Sequence, residues 1–427
     1  MVYVLNNLGQ PLMPTSDYRK VRLLLKENKA IVVKRTPFTI RLTIRTKSYK
    51  QPIVLGIDAG SKTIGCSAAT ENKELFAAEI KPRNDVVDLL STRREFRRSR
   101  RNRTTRYRAP RFNNRIKSKH KGWLAPSVEV KIQEHITSIK RICKLLPITK
   151  VVVETAEFDL QLLKALETTT TIPIGTAYSL GPMLGHYNAR QYVLFRDNYK
   201  CQHCGCHGKG VKFHVHHIES RKIGGDAPDN LITLCEDCHK KLHKGLIKVT
   251  KALKRKTKST RDAAFMGIMR KTLMQRLRSE LTIQVEETKG YITKYTRVEV
   301  LKLAKSHIND ALAIAVGLKG HGMLTGPINI KRVDKSYLIK PVRHHNRQIH
   351  KATINKGGVR KLNQAPKYVK GFRLFDKVLY NNKECFIWAR RTSGSFLLKD
   401  LSNKTIKDGV LYKKLKLLER SNNYLIQ

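Results

Sequence analysis

Apolar residues recur at Val128, Ile132, Ile136, Ile139, Ile142 and Leu146, and Pro147 follows them. A period near 3.6 that stops at proline predicts an amphipathic helix over Ser127 to Leu146. Upstream the pattern is extended. The apolar run IVLGID ends on Asp58 and turns through Gly60 into a second strand, TIGCSAAT, and KELFAAEI supplies a third. KVVVETA follows the helix as a further strand and presents Glu154. At the start of the chain, Arg19 to Asn28 has helical spacing, and IVVKRTPFTIRLTI alternates as two short strands do. Further on, helices are expected near Arg261 to Ser279 and from about Val298 to Leu318, with a strand, LTIQVEE, between them. The short alternating runs KVLYNN, CFIWARR and SFLLKD past residue 330 predict a small, β-barrel-like domain.

Charge changes the picture. The 427 residues hold 86 Lys and Arg against 33 Asp and Glu, a formal charge of +53. A compact fold with that surplus repels itself unless a polyanion neutralises it, so nucleic acid is the expected partner. The surplus is densest at 93–121, where fourteen Lys or Arg stand beside one acid, Glu95. Arg93, Arg97 and Arg101, with Arg94 and Arg98, follow i,i+4 spacing and would line one broad face of a helix; Arg100, Arg103, Arg106, Arg108 and Arg111 continue the run. These ten arginines are the candidate nucleic-acid contacts. A disordered basic tail is the rival reading. No apolar run approaches the ~20 residues that span a bilayer, and MVYVLNNLGQ lacks the features of a signal peptide. The expectation is a soluble protein of the prokaryotic cytosol or nucleoid, with no membrane contact.

Four of the eight cysteines form two Cys-x-x-Cys pairs, Cys201 with Cys204 and Cys235 with Cys238. Two close thiolate pairs are how a structural Zn²⁺ clips two loops together, and Cys206 is a rival ligand. Between and after them lie FHVHHIESRKIGGDAPDNLITL and CHKKLH. A compact ββα-metal nuclease needs a metal ligand, a general base beside it, a residue that holds the loop, and a second ligand on the helix. His216, His217, Asn230 and His239 supply them in that order, the cation being Mg²⁺, and His243 could add a ligand or a phosphate contact. The HH, GG, DNL and C-x-x-CH pattern resembles the HNH endonucleases. A non-catalytic zinc finger is the alternative.

Asp58 and Glu154 stand at strand ends, and His307 and Asp310 are i,i+3 on one helix face. Converging, they would cage two Mg²⁺ ions for in-line phosphodiester hydrolysis. IVLGIDAGSKTIGCS, VVVETAEFD and SHINDALAIA resemble the three RuvC motifs of RNase H-like nucleases. That resemblance implies that Asp58, Glu154 and Asp310 bind the metals and that Asp58, Glu154, His307 and Asp310 are catalytic. A phosphate-binding turn like that of actin-like ATPases is the rival for the first motif.

The order of these motifs, with PLMP at residues 11 to 14, resembles the IscB family of transposon-encoded RNA-guided nucleases, which is related to the type II CRISPR effectors. The likeness implies a fold class: α/β multidomain, with an RNase H-like (RuvC) mixed sheet assembled from split segments, an inserted ββα-metal HNH domain and a small β-rich C-terminal domain. The expected segments are a PLMP module (1–50), RuvC-like part I (51–92), an arginine-rich bridge helix (93–121), RuvC-like part II and linker (122–182), HNH with zinc knuckles (183–250), RuvC-like part III (251–329) and a C-terminal domain reading a target-adjacent motif (330–427). It also implies partners: a long structured guide RNA (omega RNA), with one protein chain per RNA, and double-stranded target DNA. HNH would cut the guide-paired strand and RuvC the displaced one. A protein-guided homing or junction-resolving nuclease and a non-catalytic RNA-binding transposon regulator are the rival functions.

Overall fold

The computed structural model describes residues 1–101, 122–155, 186, 188–220, 225–247, 261–319, 322–323, 328–343 and 366–427. The expected contacts Arg103, Arg106, Arg108 and Arg111, and the threonine-rich linker, lie outside them. The chain forms two compact units, one of Met1–Ala156 with Ile268–Gln427 and one of Glu157–Gly267.

The first unit opens with β1 (Tyr3–Leu5), α1 (Tyr18–Lys26), β2 (Ala30–Lys34) and β3 (Thr39–Leu42). The strands form one sheet in the order β1-β3-β2, and Asp17 caps α1 by accepting from the Lys20 amide. Three strands then run as an antiparallel meander: β4 (Val54–Ala59), β5 (Ile64–Ala69) and β6 (Glu74–Ile80). Every residue of β5 is buried, as expected of a strand covered on both faces. The Tyr3 hydroxyl donates to the Leu75 carbonyl, tying the N-terminal module to this sheet.

Next come α2 (Val86–Arg101) and α3 (Pro126–Cys143). In α2 the side chains of Arg93, Arg94, Arg97 and Arg98 are exposed, and Arg100 and Arg101 belong to its last turn. α3 buries Ile132, Ile136, Ile139 and Ile142, the stripe expected from its period. β7 (Lys150–Glu154) lies parallel to β4, which sets Glu154 beside Asp58 in register.

The second unit is built from α4 (Ala189–Arg196), β8 (Phe213–His217), β9 (Leu231–Cys235) and α5 (Glu236–His243). β8 and β9 pair antiparallel, and α5 follows β9 directly. Its core gathers Cys201, Ile232, Leu234, Cys235 and Cys238.

The first unit resumes at Ile268, within α6 (Arg261–Glu280), and continues through β10 (Gln284–Thr288), α7 (Gly290–Tyr295) and α8 (His307–Val316). One helix from about Val298 to Leu318 was expected, and the chain departs from that. A π-helical turn spans Thr296–Val300, Lys302 adopts φ +50°, and a new helix starts where the Ser306 hydroxyl accepts from the Asn309 amide. A left-handed residue ends the first turn, and a serine cap opens the second helix. β11 (Leu318–Lys319) and β12 (Gly322–Met323) pair antiparallel.

Residues past 330 split between two sheets. β13 (Tyr337–Pro341) joins β6 in the central sheet. β14 (Lys377–Tyr380), β15 (Lys383–Arg390), β16 (Ser395–Lys399), β17 (Thr405–Leu411) and β18 (Lys416–Glu419) form an antiparallel sheet in the order β17-β16-β15-β14-β18. β19 (Tyr424–Ile426) then returns to β13. The central sheet thus reads β10-β7-β4-β5-β6-β13-β19.

α8 rests on β4 and β5, with Leu312 and Val316 packed against Ala69 and Val54 further along the helix. A Cβ at Gly56 would stand 2.1 Å from the Ala311 carbonyl oxygen, and one at Gly65 would stand 2.0 Å from that of His307. Only glycine lets the helix backbone approach so closely.

Candidate functional site

In β8, side chains alternate between faces, so His214 and His216 share one face and His217 takes the other. His214 stacks on His239 of α5, ring centroids 4.9 Å apart. His239 and His243, one helical turn apart, hold their Nε2 atoms 3.2 Å from each other. Ring nitrogens of His216, His239 and His243 all lie within 4.8 Å of one another. Burial, with His239, His243 and His217 nearby, pushes the His216 pKa down to about 4. Burial and the neighbouring His243 and His214 lower that of His239 too. The His216 ring is therefore neutral near pH 7 and offers a lone pair, which suits a divalent cation.

His217 places Nε2 2.9 Å from Asp226 Oδ1. A carboxylate only accepts, so Nε2 carries the hydrogen and donates it to Asp226. Asn230, fully buried, clamps the intervening loop: its Oδ1 accepts from the Glu219 amide at 2.8 Å, and its Nδ2 donates to the carbonyls of Glu219 (3.0 Å) and Gly225 (2.9 Å). Arg196 supports the same turn by donating to the carbonyls of Pro228 and Leu231.

The thiols of Cys201, Cys204, Cys206 and Cys235 lie within 4.8 Å of one another. Cys238 borders this set, its amide donating to Cys235 Sγ and its own sulfur 3.5 Å from His203 Nδ1. Three of the four cysteines read as zinc ligands therefore share the tight group with Cys206. Four thiols at that spacing could hold Zn²⁺.

In the first unit, Asp58 Oδ2 accepts from His307 Nδ1 at 2.6 Å, and that bond raises the His307 pKa. Asp310 pairs with Arg297 at 2.7 Å. Burial raises the pKa of Glu154, a hydrogen bond from Thr293 opposes this, and the charges of Asp58 and Asp310 raise it further. Burial and then Asp58 raise that of Asp310, against Arg297. The four residues are thus brought to one place, with carboxylates close enough to repel. Unlike the histidine and cysteine sets, their ligand atoms do not all fall within 4.8 Å of one another; Asp58 is held by His307 and Asp310 by Arg297. The repulsion is what a bound cation would relieve.

Reading the sequence missed Asp226, His214 and Arg297. Asp226 sits in the GGDAPDN loop, where its spacing from His217 offered a signal; Arg297 has none.

Residues 201–245 match the HNH endonuclease family, and residues 2–172 match the RRXRR protein family. The string Arg97-Arg98-Ser99-Arg100-Arg101 carries that spelling. An RRXRR region followed by an HNH endonuclease domain is consistent with an IscB-like protein. Among relatives of this chain, Anaredoxin of Nostoc sp. is 35% identical over 65 residues, which is 15% of this chain and 83% of that protein. Solved structures similar to it include Streptococcus thermophilus Cas9 in complex with the AGAA PAM (14% identity, TM-score 0.30, 45% of this chain) and with the GGAA PAM (14%, 0.29, 46%). The chain spans about a quarter of the length of those proteins, 26% in each case. Among the described residues no helix is long and apolar enough to cross a membrane.

Proposed function

We propose that this protein is an RNA-guided DNA endonuclease with two metal-dependent sites. The observation that carries the reading is the second unit's hairpin and helix, which aim His216, His239 and His243 at one point and hold His217 through an Nε2 bond to Asp226. There His217 Nδ1 takes the proton of the attacking water, and Asp226 supports the imidazolium that forms. Asn230 keeps His217 and the helix in register. A bound divalent cation, Mg²⁺ in this proposal, supplies charge neutralisation at the scissile phosphate in each site. The cysteine group holds Zn²⁺ and fixes the hairpin to the helix.

The order β10-β7-β4-β5-β6, with β7 and β10 parallel to β4, supports an RNase H-like (RuvC) reading of the first unit. Asp58, Glu154 and Asp310 then present carboxylates to the metals, and His307, fixed through Nδ1, moves protons at Nε2. The exposed arginines of α2 and the net charge of +53 support a long guide RNA as partner, with phosphate contacts positioning the duplex and base pairing reading sequence.

The test is strand-resolved nicking of a matched DNA duplex by the full chain with its copurified RNA. His217→Ala should abolish cutting of the guide-paired strand, and Asp58→Ala cutting of the other. Cutting that ignores the RNA would favour a protein-guided nuclease and overturn the guided reading.

A further inference from the structure

Three residues at the start of α8 each have a partner outside the helix. His307 bonds to Asp58, Asp310 pairs with Arg297, and Asn309 Oδ1 accepts from Arg332 Nη1 at 3.0 Å. The first two are candidate site residues, and the third is unexplained by the chemistry above. Resting on the reading of the Asp58 set as a nuclease site, we infer that Arg332 is a positioning residue for it, acting through Asn309 on the first turn of α8.

The need for such a residue follows from how α8 is seated. Leu312 and Val316 pack against Ala69 and Ile330 toward its C-terminal end, whereas its first turn lies with the His307 backbone directly over Gly65. Ridges packed into grooves fix the sliding and rotation of a helix, and small residues provide few ridges. A polar clamp at one end can supply the missing constraint. Asn309 is suited to this: its Nδ2 donates to the Ala304 carbonyl at 2.9 Å, and its amide donates to Ser306 Oγ at 3.1 Å, so its carboxamide is fixed relative to the helix start.

Arg332 is fixed at its other end. Its Nε lies 2.6 Å from Oε2 of Glu74, the first residue of β6, which is fully buried and also accepts from Ser67 Oγ at 2.7 Å. The backbone repeats the connection, the Glu74 amide donating to the Lys331 carbonyl at 2.9 Å. One guanidinium therefore links an immobile carboxylate in the sheet to the turn that carries His307 and Asp310. Arginine can do this because its planar fork offers two directed donors, whereas lysine offers a single ammonium.

The experiment compares Asn309→Ala, Arg332→Lys and the pair Glu74→Gln/Arg332→Met, the last chosen so that no buried carboxylate is left without its cation. Each is assayed as the full chain with its copurified RNA on end-labelled duplex. Maximal cutting of the Asp58-dependent strand should fall roughly 10- to 100-fold, as misplaced catalytic groups do, with KM within about twofold. Cutting of the His217-dependent strand should stay unchanged. Asn309→Ala/Arg332→Lys should be no slower than either single variant, since both remove one link. Wild-type rates on the Asp58-dependent strand in folded variants would overturn the proposal, as would equal slowing of both strands. If Asp58→Ala itself leaves both cuts intact, the nuclease reading of this site fails and the positioning role fails with it.

Discussion

A single methyl group at position 65 should silence one cut and spare the other. Gly65 pairs with Asp58 across β4 and β5, and its missing side chain is the space in which the His307 backbone sits. In Gly65→Ala the new Cβ would lie 2.0 Å from the His307 carbonyl oxygen and 2.6 Å from its carbon. Real Cβ contacts do not fall below 3.0 Å, so the first turn of α8 must retreat by about an ångström. The Asp58 to His307 bond, 2.6 Å long, cannot survive that shift unless Asp58 follows. Overpacking of this kind costs about 1–3 kcal/mol of stability, and an ångström of misplacement costs on the order of 100-fold in rate. Strand-resolved cutting, with a melting curve to establish folding, measures both. The Asp58-dependent cut should fall about 100-fold while the His217-dependent cut holds. Retention of both cuts at wild-type rates, with unchanged melting, would refute the argument that glycine is needed for helix approach.

Three further outcomes are expected. Glu134 is buried on α3, and burial, opposed by the Arg83 amide that donates to it, pushes its pKa up to about 7. Its folded pKa exceeds the unfolded one, so its stabilising contribution is full below about pH 4.5 and is lost as pH rises to about 7, on the order of 3 kcal/mol; Glu134→Gln should remove that slope in urea melts, and an unchanged slope would count against it. Asn230→Ala removes three hydrogen bonds to the part-buried backbone of Glu219 and Gly225, so it should destabilise the second unit by about 1–3 kcal/mol and abolish the His217-dependent cut, as calorimetry and nicking would show. Zinc analysis of Cys206→Ser and Cys235→Ser should find the metal lost with Cys235; equal retention in both variants would exclude the cysteine group as its site.

The two candidate sites were unequally legible. Every residue of the histidine site lies between Phe213 and His243, so the hairpin, helix and loop clamp follow from local pattern and residue type. The spacing could not choose among five nearby thiols, because Cys206 enters through the return of the loop after Cys204. In the other site, the apolar strand ending on Asp58 and the strand carrying Glu154 could be read directly, but their register came only with the sheet. The long helix expected over Val298 to Leu318 was misjudged because hydrophobic spacing persists through Lys302 while the backbone does not.

Long-range ion pairs are where local pattern has least to say. Arg297 and Arg332 look like two more cations among 86 Lys and Arg, yet one takes Asp310 and the other bridges Glu74 to Asn309, 258 positions beyond Glu74. Nothing in the flanking residues distinguishes them from arginines facing phosphate. What distinguishes them is burial of their partners: a fully buried Glu74 needs a fixed counter-charge, whereas a phosphate-binding arginine must stay exposed, as Arg93, Arg94, Arg97 and Arg98 do. In so basic a chain, each acid at low exposure therefore marks which arginines belong to the fold. Charge reversal at the exposed set should act on RNA binding and its salt dependence, while loss of Arg332 should act on one cut alone.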